Sequence, residues 1–507
     1  ITDYDNNHLT NYLRERMGVE IEVQLFDNAE YKTQLQLMTS SGARLPDLLL
    51  NFNLTPTERE FYGRQGYFID LRPYFEEGVM TRYFEGEAVS YLTEAEKATT
   101  ISAGLSSNGA LYGVPFWAVS VADPWSDGLL INNTFCEALG MDIPTTIDEY
   151  YEYLVAVKTQ DPNGNGIADE IPLVGFANMG NGDVIVNLLN SFCYYPDTWN
   201  GAALCCDDDG SIYAPYTTEE FKEGMLFIAK LYSEGLISDL SFSQDRYGLQ
   251  AMTDLTGEAP ATSHRSYMFA SHSSAERRTH YTSIGPLVGP EGVAYAASYK
   301  VEPVYRHFIT ADCENPDVAF ALLDYLTSTH STLTARYGRE GEYWRYCTEE
   351  EAARGSSWAA LGYTKALYTS SDMKLAWGQQ NNEIWNITSI TWQPQGFTAL
   401  TPAKPAEEYA SDIARYNAED WNNAIMARFG KAPKNLVGTL AYTAEEQEAL
   451  GTRATDIGIY VRESMTRMVT GEMDIESSWD DFQKNLETMG LETVLTLAQA
   501  AWDRANG

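Results

Sequence analysis

A chain of 507 residues has room for about two to four domains, and its 44% hydrophobic and 12% aromatic content supplies large buried cores, which excludes a disordered chain. Its 72 acidic residues against 34 basic ones leave a net charge of −38. Such a surface repels phosphate backbones and anionic membranes, so nucleic acid and lipid surfaces drop out as partners, and a secreted protein with a neutral or cationic ligand fits better.

No apolar run approaches the length of a membrane span. Six cysteines are too few for a disulfide scaffold, and none forms a Cys-x-x-Cys pair. Cys205 and Cys206 are adjacent, a geometry that disfavours a bond between them. Buried free thiols are expected, with one bridge near Cys193 left open. The chain opens at Ile1 with neither an initiator Met nor a signal peptide, and the expectation is a processed or trimmed product.

In chain order, a helix is expected around Leu9 to Met17, followed by a strand over Val19–Leu25, where apolar and polar residues alternate. A second helix around Tyr31, Leu35 and Met38 leads to Leu48-Leu49-Leu50, an apolar run that reads as a buried parallel strand and completes a βαβ unit. A doubly wound lobe would want one more strand before the first helix. Further on, Thr146-Ile147-Asp148-Glu149 is a capping box, with Ile147, Tyr150, Tyr151 and Leu154 marking one helical face behind it. Thr218 caps another helix, with Phe221, Met225, Ile228 and Tyr232 inside and Gly235 at its end. Asn315-Pro316-Asp317 starts a third, running through Ala321, Leu322 and Tyr325. From about residue 350 the chain turns helix-rich and Trp-rich.

Signatures of catalysis are missing: no phosphate-binding Gly-rich loop, no His-Glu-x-x-His and no Gly-x-Ser-x-Gly elbow. The six histidines are scattered, and His264, His272 and His280 read as parts of an exposed Ser- and Arg-rich loop. Carboxylates are plentiful, yet no pair is singled out for glycoside hydrolysis.

One local motif is sharp. Asp161, Asn163, Asn165 and Asp169 occupy positions one, three, five and nine of a tight loop, with Gly166 at six and the Ile167 carbonyl at seven. A hard cation wants six to eight oxygens, and this spacing wraps them around one point. Position twelve is Pro172 rather than a carboxylate, so the closing ligand must be Glu170. The expectation is a structural Ca²⁺, the competing reading an ordinary Asn/Gly turn.

The second signal is aromatic. Eleven Trp and 33 Tyr exceed what cores need, and Trp117, Trp125, Trp199, Trp344, Trp385 and Trp392 sit beside polar residues such as Asp127 and Asn386. Flat faces next to amides and carboxylates suit sugar rings, which stack through C–H faces and hydrogen-bond through hydroxyls.

With these features, the sequence resembles the extracellular solute-binding proteins of carbohydrate ABC importers, family 1 and its lipoprotein branch. The matching segments are Gly66-Tyr-Phe-Ile-Asp70-Leu71-Arg-Pro73-Tyr74, Asn108-Gly109-Ala-Leu-Tyr112-Gly113-Val-Pro115, Pro144 to Tyr150 with Asp161 to Pro172, and a closing set running from Thr470-Gly471-Glu472 through Trp479-Asp480 and Met489-Gly490-Leu491 to Gln499 through Arg504. The resemblance implies an α/β, two-lobed periplasmic-binding-protein-like fold of type II, with a hinge between lobes and a helix-rich C-terminal portion. It implies an N-terminal lobe of residues 1–127 and 301–345 and a C-terminal lobe of 128–300 and 346–507, with crossings near Val119–Ile131 and Tyr299–Phe308. It also implies Ca²⁺ in the loop and a ligand held between lobes by some of Asn51, Asn53, Trp117, Trp125, Asp127, Trp199, His264, Arg265, Trp344, Trp385, Asn386 and Trp392. Trp117, after the Tyr112-Gly113-Val114-Pro115 turn, is the leading candidate.

The implied function is capture of a neutral oligosaccharide outside the cell and delivery to a membrane ABC permease, with no turnover. The implied protein is a monomeric bacterial cell-surface lipoprotein whose signal peptide and lipidated Cys are removed from this sequence. A peptide or other polar solute, a secreted glycoside hydrolase and an adhesion module remain as alternatives.

Overall fold

A computed structural model describes residues 3–76, 90, 92–117, 125, 128–177, 183–196, 201–254, 262–265, 274–355, 368–369, 382–385, 402 and 404–506. The chain divides into two compact units, Ile1–Val121 with Glu302–Lys404, and Ala122–Val301 with Pro405–Gly507. The sequence reading assigned 346–404 to the second lobe, whereas here it groups with the first. The reason is a set of bonds to the N-terminal segment. The His8 N–H donates to the Asn382 carbonyl at 2.7 Å, the Asn7 amide to the Ile384 carbonyl at 2.9 Å, and the Trp385 indole N–H to the Thr10 hydroxyl at 2.7 Å.

In the first unit, the strand Val304–Ile309 is the centre of a three-stranded sheet, flanked by Leu48–Leu49 and Val114–Phe116. Both neighbours run antiparallel to it, with Leu48 opposite Ile309 and Leu49 opposite Phe308. The parallel βαβ expectation is therefore corrected: an apolar run signals burial, not direction. Burial of Leu35, Leu45, Leu49, Phe52, Leu54, Tyr62, Phe68, Tyr112 and Phe308 forms the core on one side. The helix His8–Met17 forms as expected, capped by the Asn7 side chain. Val19–Leu25 is not a strand. Its burial alternates, but its backbone is met by side chains instead of a ladder: Arg14 donates to the Ile21 carbonyl and the Val23 N–H donates to Asp5 at 3.2 Å.

The second unit is built on the strand Gly128–Asn132, antiparallel between Thr262–Arg265 and Tyr281–Ser283. His264 thus lies on a strand, not in a loop; residues 266–273 fall outside the described set. Gly128 is glycine because the Arg428 guanidinium, which donates to the Ile284 carbonyl at 2.5 Å, lies where a Cβ would go. The Thr146–Glu149 capping box forms, and Ile147, Tyr150, Tyr153 and Leu154 of Ile147–Thr159 are buried. Helix Glu219–Ser233, capped by Thr218, buries Phe221, Met225, Ile228 and Leu231. Helices Arg453–Val469, Ile475–Met489 and Leu491–Asn506 add Ile457, Val461, Trp479, Phe482 and Val494 to the same core. At roughly 25 cal/mol per Å² of apolar area removed from water, each such side chain stabilises the unit by about 1.5–3 kcal/mol. Asn315 precedes helix Pro316–Leu326 without making a side-chain cap bond. All six cysteines are free, Cys193 included.

Candidate functional site

Helix Ile147–Thr159 ends beside Gln160, and the chain turns at once into the Asp161–Glu170 loop. The positive φ values of Gly164 (71°) and Gly166 (78°) curl the backbone, a conformation that favours glycine. The curl gathers the expected ligands. The Gly166 N–H donates to Asp161 Oδ2 at 2.8 Å, and the Asn165 N–H reaches Asp161 Oδ1 at 3.1 Å and Asn163 Oδ1 at 2.9 Å. The Asn163 and Asn165 carboxamides both donate to Asp169 Oδ1, at 3.2 and 3.1 Å. Four oxygen-bearing side chains therefore meet around one point. Ile167 is exposed, its N–H donating to Asn165 Oδ1 at 2.7 Å. Glu170 Oε1 is buried with no hydrogen-bond partner, an uncompensated oxygen that a cation would satisfy. Among the described residues no group of three or more carboxylates, imidazoles or thiols is poised for a metal, so the loop would lean on amide and carbonyl oxygens as well. The residues fit a hard cation.

In the first unit, the strand Leu48–Leu49 runs into a turn at Asn51, which takes φ 61°, a left-handed value seldom adopted by residues other than glycine. The Asn51 N–H donates to His307 Nδ1 at 3.1 Å, and the Phe52 N–H to the Arg306 carbonyl at 2.9 Å. His307 must then carry its proton on Nε2, which is buried without a partner. Burial, with the Arg306 charge beside it, lowers the His307 pKa to about 3, so the ring is neutral. Asn51 and Asn53 are exposed, while Phe52 between them and Leu54 after them are buried. The Tyr31 hydroxyl donates to the Asn53 carbonyl at 3.1 Å and the Tyr31 ring meets Phe52 edge-on at 5.2 Å.

The tryptophans depart from expectation. Trp117, Trp344 and Trp385 are only 2%, 2% and 6% exposed. Each spends its indole N–H inside the first unit, on the Thr100 hydroxyl (3.4 Å), the Gly338 carbonyl (2.8 Å) and the Thr10 hydroxyl respectively. None presents a free face for stacking, so Trp117 is corrected from stacking platform to core residue. Trp125 is half-buried against Phe429, with ring centroids 5.5 Å apart. Asp127, Trp199, Asn386 and Trp392 lie outside the described residues, as do the side chains of His264 and Arg265. Sequence reasoning missed Arg306, His307 and Tyr31. The only signal was a charged and a polar residue interrupting the apolar run Val304–Ile309.

Residues 5–331 match the model of the bacterial extracellular solute-binding protein family, and the chain belongs to that family. It is 23% identical over 505 residues to the fructooligosaccharide ABC transporter substrate-binding protein FusA of Streptococcus pneumoniae, covering 97% of this chain and 86% of that protein. Two solved structures share its two-lobed fold. An extracellular solute-binding protein from Bifidobacterium longum subsp. infantis has a TM-score of 0.76 at 20% identity, covering 99% of this chain and 95% of the other. An S. pneumoniae FusA EF-hand mutant in complex with fructo-nystose has a TM-score of 0.69 at 19% identity, covering 100% and 96%.

Proposed function

We propose that this protein captures a neutral oligosaccharide outside the cell and delivers it unchanged to a membrane ABC permease. The observation that carries this reading is the family match together with similarity to a fructooligosaccharide-binding relative across 97% of the chain. The net charge of −38 supports a neutral ligand, because it opposes polyanionic glycans at long range. Exposed amides at Asn51 and Asn53 supply hydrogen-bond partners of the kind that distinguish hydroxyl configurations. Within the same reading the protein acts as a monomer held at the cell surface as a lipoprotein, and the Asp161–Glu170 loop binds a structural Ca²⁺ through Asp161, Asn163, Asn165, Asp169, Glu170 and the Ile167 carbonyl. The ion would supply a fixed cross-link between the end of one helix and the buried segment that follows, without touching the solute.

A thermal-shift and calorimetry panel of neutral fructo-, gluco-, xylo- and manno-oligosaccharides tests the ligand class. A binder present at a hundred times its Kd raises stability by about 2.7 kcal/mol. Incubation with that binder followed by mass spectrometry should recover it intact. No binding across the panel, or cleavage that a single Asp or Glu substitution abolishes, overturns the reading.

A further inference from the structure

Arg306 is one of five arginines among the described residues whose Nε is buried without a hydrogen bond. It lies on the strand Val304–Ile309, half-buried, with its Nε sealed from solvent and bonded to nothing. Acidic residues outnumber basic ones by about two to one here, and other arginines find carboxylates readily: Arg345 with Glu351 at 2.8 Å, Arg504 with Glu446 and Arg339 with Glu383, both at 2.5 Å. Arg306 has no such partner among the described residues, and the phenol of Tyr31 is the titratable group that acts on it. Burial without a counter-charge holds its pKa below the ordinary guanidinium value. Desolvating a charge without compensation is unfavourable, so packing alone gives no reason for an arginine at this position.

Its surroundings supply one. The ladder of Leu48 with Ile309 and Leu49 with Phe308 ends before Asn51, whose left-handed backbone interrupts the register. The bond from the Phe52 N–H to the Arg306 carbonyl keeps the two segments together there. Asn51 and Asn53, on either side of Phe52, are exposed. On the flank stand Tyr31 and Phe26, each edge-on to Phe52, at 5.2 and 5.1 Å. An exposed asparagine, an arginine whose buried Nε has no partner and an aromatic rim thus lie on adjoining segments at the end of one strand. An arginine fork donates two parallel N–H bonds and accepts none, while a carboxamide does both.

We infer that Arg306 is a ligand-binding residue of the first unit, its guanidinium fork donating to two adjacent hydroxyl oxygens of a neutral sugar ring beside Asn51 and against Tyr31. This rests on the oligosaccharide reading above. The ligand supplies the acceptors that the protein itself withholds. A uronate carboxylate offers the same pair of oxygens, so the experiment separates the two sources.

Calorimetry on the wild type, Arg306→Lys and Arg306→Gln uses neutral fructo-, gluco- and xylo-oligosaccharides together with a uronate-terminated oligosaccharide, with a melting curve for each protein. The expected result is neutral binding by the wild type that weakens at least tenfold in both variants. Lysine keeps the charge but loses the fork, so it should not rescue. Melting temperatures should stay level or rise, because no internal partner is lost. Full neutral binding by both variants overturns the role of Arg306 and leaves the oligosaccharide reading standing. Wild-type protein that binds only the uronate, or nothing, overturns both. A melting temperature that falls in both variants in step with affinity assigns Arg306 to structure instead.

Discussion

His307 accepts the backbone N–H of Asn51 through Nδ1 at 3.1 Å, across 256 residues of sequence. A central strand thereby holds the end of its neighbour in a left-handed turn. The neutral imidazole makes the turn possible, since a protonated Nδ1 has no lone pair to offer. The folded state lowers the His307 pKa from 6.5 to about 3, so between those values the unfolded chain binds a proton that the folded one does not. Stability should therefore fall as pH drops through that window, by up to about 1.4 kcal/mol per pH unit, and this contribution should be flat above it. Denaturant titrations of the wild type and His307→Gln between pH 4 and 7, on the order of the window given, should show a shallower pH slope in the variant. Equal slopes would mean that His307 is not the group responsible.

Trp117→Ala should behave as a core truncation. The ring is buried and its N–H is bonded to Thr100, so the variant leaves a cavity and frees a hydroxyl. The expected cost is about 3–5 kcal/mol in chemical denaturation. A variant of wild-type stability that has lost glycan binding would restore the stacking role instead.

These elements show what the sequence carries and where it stops. The Thr146 capping box, the Ile147 helix face and the Asp161–Glu170 spacing are local: each is set by residues a few positions apart, so a linear reading finds them. The Val19–Leu25 run has strand-like alternation in sequence and in burial, yet pairing depends on a neighbour that a local pattern does not specify. Composition gives the number of tryptophans but not which have faces covered, which is why Trp344 and Trp385 read as binding residues and turned out packed. The Asn51–His307 and Phe52–Arg306 bonds join segments far apart in the chain, and no spacing rule reports them.

The Asp161–Glu170 loop should bind Ca²⁺ tightly enough that chelation lowers the melting temperature and added Ca²⁺ restores it. Asp169 accepts from both Asn163 and Asn165, so Asp169→Ala removes the centre of the cluster and should make the melt insensitive to chelator and calcium alike. At a hundredfold excess over Kd the ion contributes about 2.7 kcal/mol. Elemental analysis finding no calcium, with a melt indifferent to both treatments, would show the loop to be an Asn/Gly turn.

Asn51 allows backbone and side chain to be tested apart. Its φ of 61° costs an ordinary L-residue about 1–2 kcal/mol, less for asparagine and nothing steric for glycine. Asn51→Gly should therefore keep the turn and the bond to His307, with stability within about 0.5 kcal/mol of wild type. Asn51→Ala keeps a Cβ without the side-chain compensation of asparagine and should lose about 1 kcal/mol. Both variants delete the exposed carboxamide. If that group bonds the sugar, both should weaken binding of a neutral oligosaccharide by a similar factor, roughly tenfold, since one such bond is worth about 0.5–1.5 kcal/mol and an unmet partner in a dry site costs more. Calorimetry paired with denaturation reads the two effects independently. Affinity that follows stability, lost in the alanine variant and kept in the glycine one, would assign Asn51 to the turn alone and move the site elsewhere in the first unit.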